Sequence, residues 1–164
     1  MGASLAFALH PFAKGVLKYT SPDGRLVATI IPTGKGKSLR DYECRIEIRQ
    51  KRGRSLLKHD FSSSDGEHGY GIVRAEWTPD SQFFVFSVES SGGHQPWHYP
   101  TLFYDRQRNF LKVLDDSVGP ITSPDFKLVG SNALETETQE GSITIKLEEV
   151  AAAARNAAPA PAEQ

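Results

Sequence analysis

The sequence has little cysteine, no long hydrophobic run and no excess of charge of either sign. A single cysteine, Cys44, occurs among 164 residues, which excludes an intramolecular disulfide and a zinc site built from several cysteines. No uninterrupted apolar stretch approaches the roughly 18 residues of a transmembrane helix, so we predict no membrane span. The 19 basic and 20 acidic residues are interspersed along the chain. This balance predicts no large field and no nucleic-acid partner.

Sequence motifs for common catalytic chemistry are also missing. No Gly-x-Ser-x-Gly elbow surrounds Ser90 or Ser91, so an activated serine nucleophile is not indicated. Residues 34–38, Gly-Lys-Gly-Lys-Ser, lack the spacing of a phosphate-binding loop and are predicted to form a solvated hairpin loop. No cofactor is predicted, and the lone Cys44 is expected to be a small buried side chain.

A Ser/Thr-Pro-Asp turn is present three times, with its prolines at positions 22, 79 and 124. Proline sets the backbone dihedral at the second turn position, and aspartate tolerates the conformation that follows, so each copy is predicted to reverse a strand. The strands after the first two turns, 25–31 and 83–88, are apolar on both faces. Such strands are expected to lie between packed sheets.

The other predicted strands surround these turns in a regular order. Between residues 42 and 49, Cys44, Ile46 and Ile48 alternate with charged residues that begin with Glu43, which predicts one buried and one solvated face. Further strands are predicted at 17–20, 55–61, 72–77, 101–105, 109–114, 127–131 and 142–147. The predicted fold class is therefore all-β, with about two and a half antiparallel four-stranded units in one domain over residues 15–149.

The Ser/Thr-Pro-Asp turns before aliphatic or aromatic strands resemble the repeats of β-propeller proteins, such as TolB-like and WD40-like blades, over residues 15–148. The resemblance implies blade-like units in a propeller-like or stacked-sheet arrangement. Closed propellers have at least about four blades, so the predicted units form either a curved monomeric stack or a ring completed by another copy of the chain. In such blades these turns are structural, and the resemblance assigns no active residue here.

The two ends of the sequence are predicted to lie outside this domain. Residues 1–14 contain an apolar run without a preceding positive region, which is interpreted as the remnant of a signal peptide, an ordinary tail or a first strand. The signal interpretation predicts a periplasmic or secreted protein, and the alternative is a cytoplasmic one. Residues 150–164 are rich in alanine and proline and are predicted to form a tail in which the alanines favour a frayed helix, the prolines end it, and disorder begins at about residue 152.

The segment 89–100 is the most unusual part of the sequence, because two histidines, a tryptophan, a tyrosine and two prolines lie between two predicted strands. Loops on a rigid β scaffold often carry binding groups, and aromatic rings supply stacking area. The candidate binding residues are His94, Trp97, His98 and Tyr99. A structural alternative is that Trp97 folds back and covers the end of the core.

His94 and His98 are candidate metal ligands, and a third ligand is expected from the preceding loop, as His68, Asp65 or Glu67. The preferred function is a noncatalytic binding module whose partner is a protein or a peptide, with self-association through exposed sheet edges as an open question. The alternative is a small metal-dependent or hydrolytic enzyme that uses these histidines. An enzyme requires them to converge with a carboxylate in a pocket, whereas a binding surface requires exposed aromatic rings.

Overall fold

The computed structural model describes residues 15–33 and 43–156, which form eleven strands and two short helices. The predicted terminal segment 1–14, the predicted loop 34–38 and residues 157–164 lie outside the described residues. The strands are β1 (Leu17–Thr20), β2 (Leu26–Pro32), β3 (Cys44–Gln50), β4 (Ser55–Asp60), β5 (Tyr70–Trp77), β6 (Phe83–Ser90), β7 (Thr101–Asp105), β8 (Phe110–Val113), β9 (Lys127–Val129), β10 (Ala133–Thr138) and β11 (Gly141–Lys146), and the helices are α1 (Asp115–Val118) and α2 (Leu147–Asn156).

The strands form three antiparallel sheets that follow one another along the chain. The first has the order β1-β2-β3-β4, the second β5-β6-β7-β8 and the third β11-β10-β9. The predicted all-β fold with antiparallel four-stranded units is confirmed for the first two sheets. The sequence prediction missed β10, because threonines Thr136 and Thr138 occupy buried positions where an aliphatic residue would have signalled a strand.

The second sheet is the central layer of the described structure. From its strand β6, Phe84 and Phe86 face the first sheet in one hydrophobic cluster, whereas Phe83 and Val85 belong to a second cluster with the third sheet and α2. All residues from Phe83 to Val88 are buried. The prediction that this two-sided apolar strand lies between packed layers is therefore confirmed.

The same prediction was wrong for the strand after the first turn. In β2, Leu26, Ala28 and Ile30 are buried, whereas Val27 and the residues that alternate with it are only half-buried. The reason is positional, because the first sheet is an outer layer and no other described element covers its outer face.

Two of the three Ser/Thr-Pro-Asp turns share one hydrogen-bonding pattern. The Ser21 hydroxyl donates to the Asp23 carboxylate (2.6 Å) and accepts the backbone N–H of Leu26 (2.9 Å). The Thr78 hydroxyl makes the equivalent bonds to Asp80 (2.6 Å) and to the N–H of Phe83 (3.0 Å). The predicted strand reversal occurs at both turns.

The third turn differs at its fourth position. In the first two turns Gly24 (φ 70°) and Ser81 (φ 63°) adopt the left-handed conformation there. The third turn has Phe126 at this position, which does not have a positive φ and is instead buried in the cluster between the second and third sheets. A bulky side chain rarely adopts a positive φ, so the repeated Ser-Pro-Asp letters do not make an equivalent turn.

We expect Gly24→Ala to lower the free energy of unfolding by about 1–2 kcal/mol, because a Cβ disfavours the left-handed conformation. Nothing lies within 4 Å of a Cβ at Gly24, so the cost is conformational rather than steric. Gly15→Ala is the matched control, since its Cβ also meets open space and its φ is not positive. Urea denaturation compares the two variants, and equal stability of both would contradict the turn geometry.

The C-terminal part of the domain extends further than predicted. Residues 150–156, which were predicted to begin a disordered tail, belong to α2. Leu147 and Ala151 lie one helical turn apart, and both are buried in the cluster that contains Phe83 and Phe103. This apolar face stabilises the helix beyond what alanine propensity alone predicted. Neither described helix has the length and apolar character needed to cross a membrane.

Candidate functional site

Two long loops meet at one end of the first and second sheets, which we call the loop end. The loop of residues 61–69 joins β4 to β5, and the loop of residues 91–100 joins β6 to β7. The Ser91 N–H donates to the Gly69 carbonyl (2.9 Å), and the His68 and His94 rings stack at 4.9 Å between centroids. The loops that contain the candidate histidines therefore lie side by side.

Glu43, the residue immediately before β3, anchors both loops through its side chain. Its carboxylate accepts four hydrogen bonds, from the Ser63 N–H (2.7 Å) and hydroxyl (2.5 Å), the Gly69 N–H (2.7 Å) and the Ser91 hydroxyl (3.0 Å). The alternation of charged residues predicted that Glu43 faces solvent, which is wrong because it is only 1% exposed. The two loops fold over it just before the regular alternation of β3 begins.

The hydrogen bonds keep the Glu43 carboxylate ionised despite its burial. Burial raises the pKa of this group, but the donors from Ser63, Gly69 and Ser91 outweigh it, and the net pKa is lowered. Gly69 is required by the close approach, since a Cβ at this position would overlap the Glu43 carboxylate and the Phe61 carbonyl oxygen. The base of both loops is therefore tightly constrained.

At the surface of the loop end, the stacked pair of His68 and His94 has one carboxylate neighbour, Asp65. Nδ1 of His68 lies 2.5 Å from Oδ2 of Asp65, and the His68 and His94 rings are nearly parallel, at 9°. The pKa of Asp65 is lowered well below its usual value by the Glu67 N–H, the Ser63 hydroxyl and His68. The side chains of His68, His94 and Asp65 are all exposed to solvent and are not enclosed in a pocket.

The third candidate histidine, His98, has a separate carboxylate partner. Its Nε2 lies 2.7 Å from Oδ1 of Asp115, and its Nδ1 lies 3.1 Å from the Gln95 side-chain oxygen. Asp115 also accepts the N–H groups of Thr101 (3.0 Å) and Ile121 (3.1 Å). Sequence analysis missed Asp115, which lies 17 residues from His98 and has no distinguishing motif. These bonds fix the orientation of the imidazole.

Trp97 projects from the middle of the second loop and is 49% exposed. Its indole stacks on the His98 ring, with 5.4 Å between centroids and 24° between planes. Tyr99 is half-buried, and its N–H donates to the Ile121 carbonyl (2.9 Å). The alternative in which Trp97 covers the end of the core is therefore wrong, and the exposed indole belongs to a loop that is anchored on both sides.

The candidate metal ligands form two separate contacts instead of one cluster. His68 and His94 stack on each other, whereas His98 pairs with Asp115. Within residues 15–33 and 43–156, no three His, Cys, Asp or Glu side chains are arranged to hold a metal ion. The Ser91 hydroxyl donates to Glu43, which accounts for this serine without a nucleophilic role.

Cys44 is buried, as predicted, and only 3% of its surface is exposed. Burial raises the pKa of its thiol to about 11, so the reactive thiolate is scarce at neutral pH. This cysteine contributes packing to the first sheet rather than a nucleophile to the loop end.

The described loop end therefore offers an exposed aromatic ring, oriented imidazoles and peptide groups, which suit noncovalent contact with a partner. No protein-family model matches the chain, and no curated protein matches its sequence.

Proposed function

We propose that the protein is a noncatalytic binding module whose contact surface is the loop of residues 92–99, with a protein or a peptide as the partner. In this proposal Trp97 is the central contact, and His94, His98 and Tyr99 are the further contact residues of the same loop. The observation that carries this proposal is the 49% exposure of the Trp97 indole on a loop whose two ends are held by hydrogen bonds. Tryptophan is among the residues that contribute most to binding energy at interfaces.

Anchoring of the loop supports a binding role because it lowers the entropy that an interface must otherwise overcome. Ser91 is bonded to the buried Glu43 on one side, and His98 is bonded to Asp115 on the other. The aromatic stack of Trp97 on His98 further limits the rotamers of the indole. A surface that is ordered before association loses less conformational freedom on binding.

The wider identity of the module also stays a proposal. Three consecutive antiparallel sheets and two equivalent Ser/Thr-Pro-Asp turns support a blade-like architecture of the propeller kind. Export to the periplasm or the cell exterior is a prediction from residues 1–14, which lie outside the described residues. Self-association through sheet edges is likewise a prediction.

Trp97→Ala is expected to reduce recovery of the natural partner by tenfold or more in affinity capture from the native host, because loss of a central aromatic contact typically costs about 2 kcal/mol or more. Val129→Ala is the matched control, since Val129 is another exposed apolar side chain, at 42%, on the third sheet. Equal recovery of every captured protein by wild type and Trp97→Ala would refute the proposed contact surface.

Fluorescence quenching gives a direct reading of the same contact. The second tryptophan, Trp77, is only 6% exposed and donates its indole N–H to the Tyr19 carbonyl (2.9 Å). The acrylamide-accessible emission therefore comes mainly from Trp97. Addition of a captured partner is expected to protect this emission from the quencher, and unchanged quenching at saturation would place the contact elsewhere.

A further inference from the structure

The opposite end of the first two sheets contains an open groove of about 670 Å³ lined by basic side chains, which we call the basic groove. Five cationic side chains line it, and no carboxylate does so among the described residues. These side chains are Arg25, Lys51, Arg52, Arg54 and Arg106. The neutral residues of the lining include Gln50, Leu56, Tyr104 and Asn109.

Three turns that are distant in sequence bring these cations together. Arg25 follows the turn between β1 and β2, residues 51–54 form the hairpin between β3 and β4, and Arg106 lies in the hairpin between β7 and β8. The Lys51 N–H donates to the Arg25 carbonyl (2.9 Å), and the Arg106 guanidinium donates to the Asp23 carboxylate (2.6 Å). The groove therefore spans the junction of the first and second sheets.

Most of the positive charge of this groove is not neutralised within the described structure. Asp23 lies at the rim, where it pairs with Arg106 and, at 3.9 Å, with Arg25. No described carboxylate lies within 4 Å of the charged groups of Lys51, Arg52 or Arg54, and all three residues are exposed. These three cations are available to an external anion.

The separation of charge between layers strengthens the field at the groove. The described residues of the first sheet and its connections, 15–33 and 43–61, contain eight Lys and Arg but four Asp and Glu. The region of the third sheet, 115–156, contains three Lys and Arg but eight Asp and Glu. The prediction of interspersed charge was therefore wrong: the basic excess near the start of the chain and the acidic excess near its end are already present in the sequence, and the contiguous layers carry them into the fold.

We propose that the basic groove binds a compact oligophosphate, a small anion with several linked phosphate groups. Arginine guanidinium groups match phosphate oxygens in bidentate geometry, and four of the five cations are arginines. The groove is open to solvent, and its volume of about 670 Å³ is large enough to admit a small anion. The five cations line a single groove, whereas proteins that bind a nucleic-acid strand have a charged groove that follows the backbone.

The lining also distinguishes this ligand from single-stranded nucleic acid. Proteins that bind single strands supply exposed aromatic rings on which bases stack. Among the described residues that line the basic groove, the one aromatic residue is Tyr104, which is fully buried and whose hydroxyl donates to the Asn109 side chain (2.9 Å). The part of the lining that the structure describes therefore offers charge and hydrogen-bond donors without an exposed aromatic ring for stacking.

Calorimetric titration with inorganic tripolyphosphate tests this proposal on the full chain at low ionic strength. Wild type is expected to bind, and the double variant Arg52→Ala/Arg54→Ala is expected to bind at least about tenfold more weakly, because charge-assisted hydrogen bonds are lost. Arg45→Ala/Lys58→Ala is the matched control, since it removes the same charge from exposed positions outside the groove. This control is expected to retain affinity within about threefold of wild type.

Three results would overturn the proposal. These are the absence of tripolyphosphate binding by wild type, an equal loss in both double variants, and tighter binding of a twelve-nucleotide oligothymidylate than of tripolyphosphate. Circular dichroism of each variant establishes that the sheets are intact before the affinities are compared. Trp97→Ala is expected to bind tripolyphosphate as wild type does, because Trp97 lies at the loop end.

Discussion

Phe84→Ala is expected to lower the free energy of unfolding by about 3–5 kcal/mol, the usual cost of truncating a buried aromatic side chain. Phe84 is fully buried in the central sheet. Its ring contacts Tyr19 of the first sheet at 5.6 Å and Trp77 at 5.0 Å between centroids. Truncation therefore leaves a cavity between the first and second sheets that rigid neighbours fill only in part.

Truncation of the neighbouring residue, Phe83, tests whether the second sheet lies between the first and the third. Phe83 faces the third sheet, and its ring contacts Phe103 at 5.5 Å. If the second sheet is covered on both faces, Phe83→Ala also costs about 3–5 kcal/mol. Val27→Ala on the outer face of the first sheet is the control and is expected to cost less than about 1 kcal/mol. Urea denaturation measures all three, and a cost of Phe83→Ala equal to that of Val27→Ala would rule out the covered central layer.

Glu43→Gln is expected to lower the free energy of unfolding by about 1–3 kcal/mol. The amide keeps the size of the side chain, but an NH₂ group replaces one carboxylate oxygen. This group donates hydrogen bonds and cannot accept those that reach the oxygen in the wild type. The N–H groups of Ser63 and Gly69 bond to different oxygens of Glu43, so the single amide oxygen leaves one of them without an acceptor in a buried site, at about 1–3 kcal/mol. Hydrogen exchange is expected to accelerate at Gly69 and Ser91 before it does so in β6. Unchanged exchange at both amides would contradict the role of Glu43 in holding the loops.

The contribution of Glu43 is also expected to depend on pH. Its pKa is lower in the folded protein than the ordinary value of 4.5, so the folded state favours the ionised form. The corresponding stability is fully present above pH 4.5 and is lost as pH falls from there through the lower folded pKa. Denaturation at a series of pH values should show a smaller acid-induced loss for Glu43→Gln than for wild type. Parallel curves for the two proteins would show that Glu43 does not titrate differently on folding.

Loss of order at the loop end should also weaken the proposed partner contact. Glu43 is not part of the proposed contact surface, but its carboxylate accepts a hydrogen bond from Ser91 at the start of the same loop. Glu43→Gln is therefore expected to reduce partner affinity through the entropy of the loop, whereas Trp97→Ala removes the contact itself.

Local patterns were sufficient to predict most of the strands. The period-two alternation from Cys44 to Ile48 and the Ser/Thr-Pro-Asp turns identified the first two sheets, because both signals arise between residues that are close in the chain. The two-sided apolar character of 83–88 also predicted a central layer. The same reasoning wrongly predicted that β2 is covered on both faces. The residues of the strand do not indicate how many layers of the fold will pack against it.

The sequence predicted which loop carries the candidate site, but it did not predict how the side chains of that loop are arranged. The concentration of aromatic and histidine residues in 89–100 indicated the loop, yet the exposure of Trp97 depends on the partners of its neighbours. His98 is oriented by Asp115, and the loop is held by Glu43, which is 48 residues from Ser91. No spacing rule connects residues so far apart.

The sequence by itself determined the strands, the reversals between them and the unusual composition of one loop, because these follow from backbone preferences and short-range alternation. Only the tertiary structure decided which faces are covered, why Glu43 is buried and ionised, and where five cations meet in one groove. Burial and electrostatic interaction act through space, so side chains from distant turns combine only after the sheets have packed.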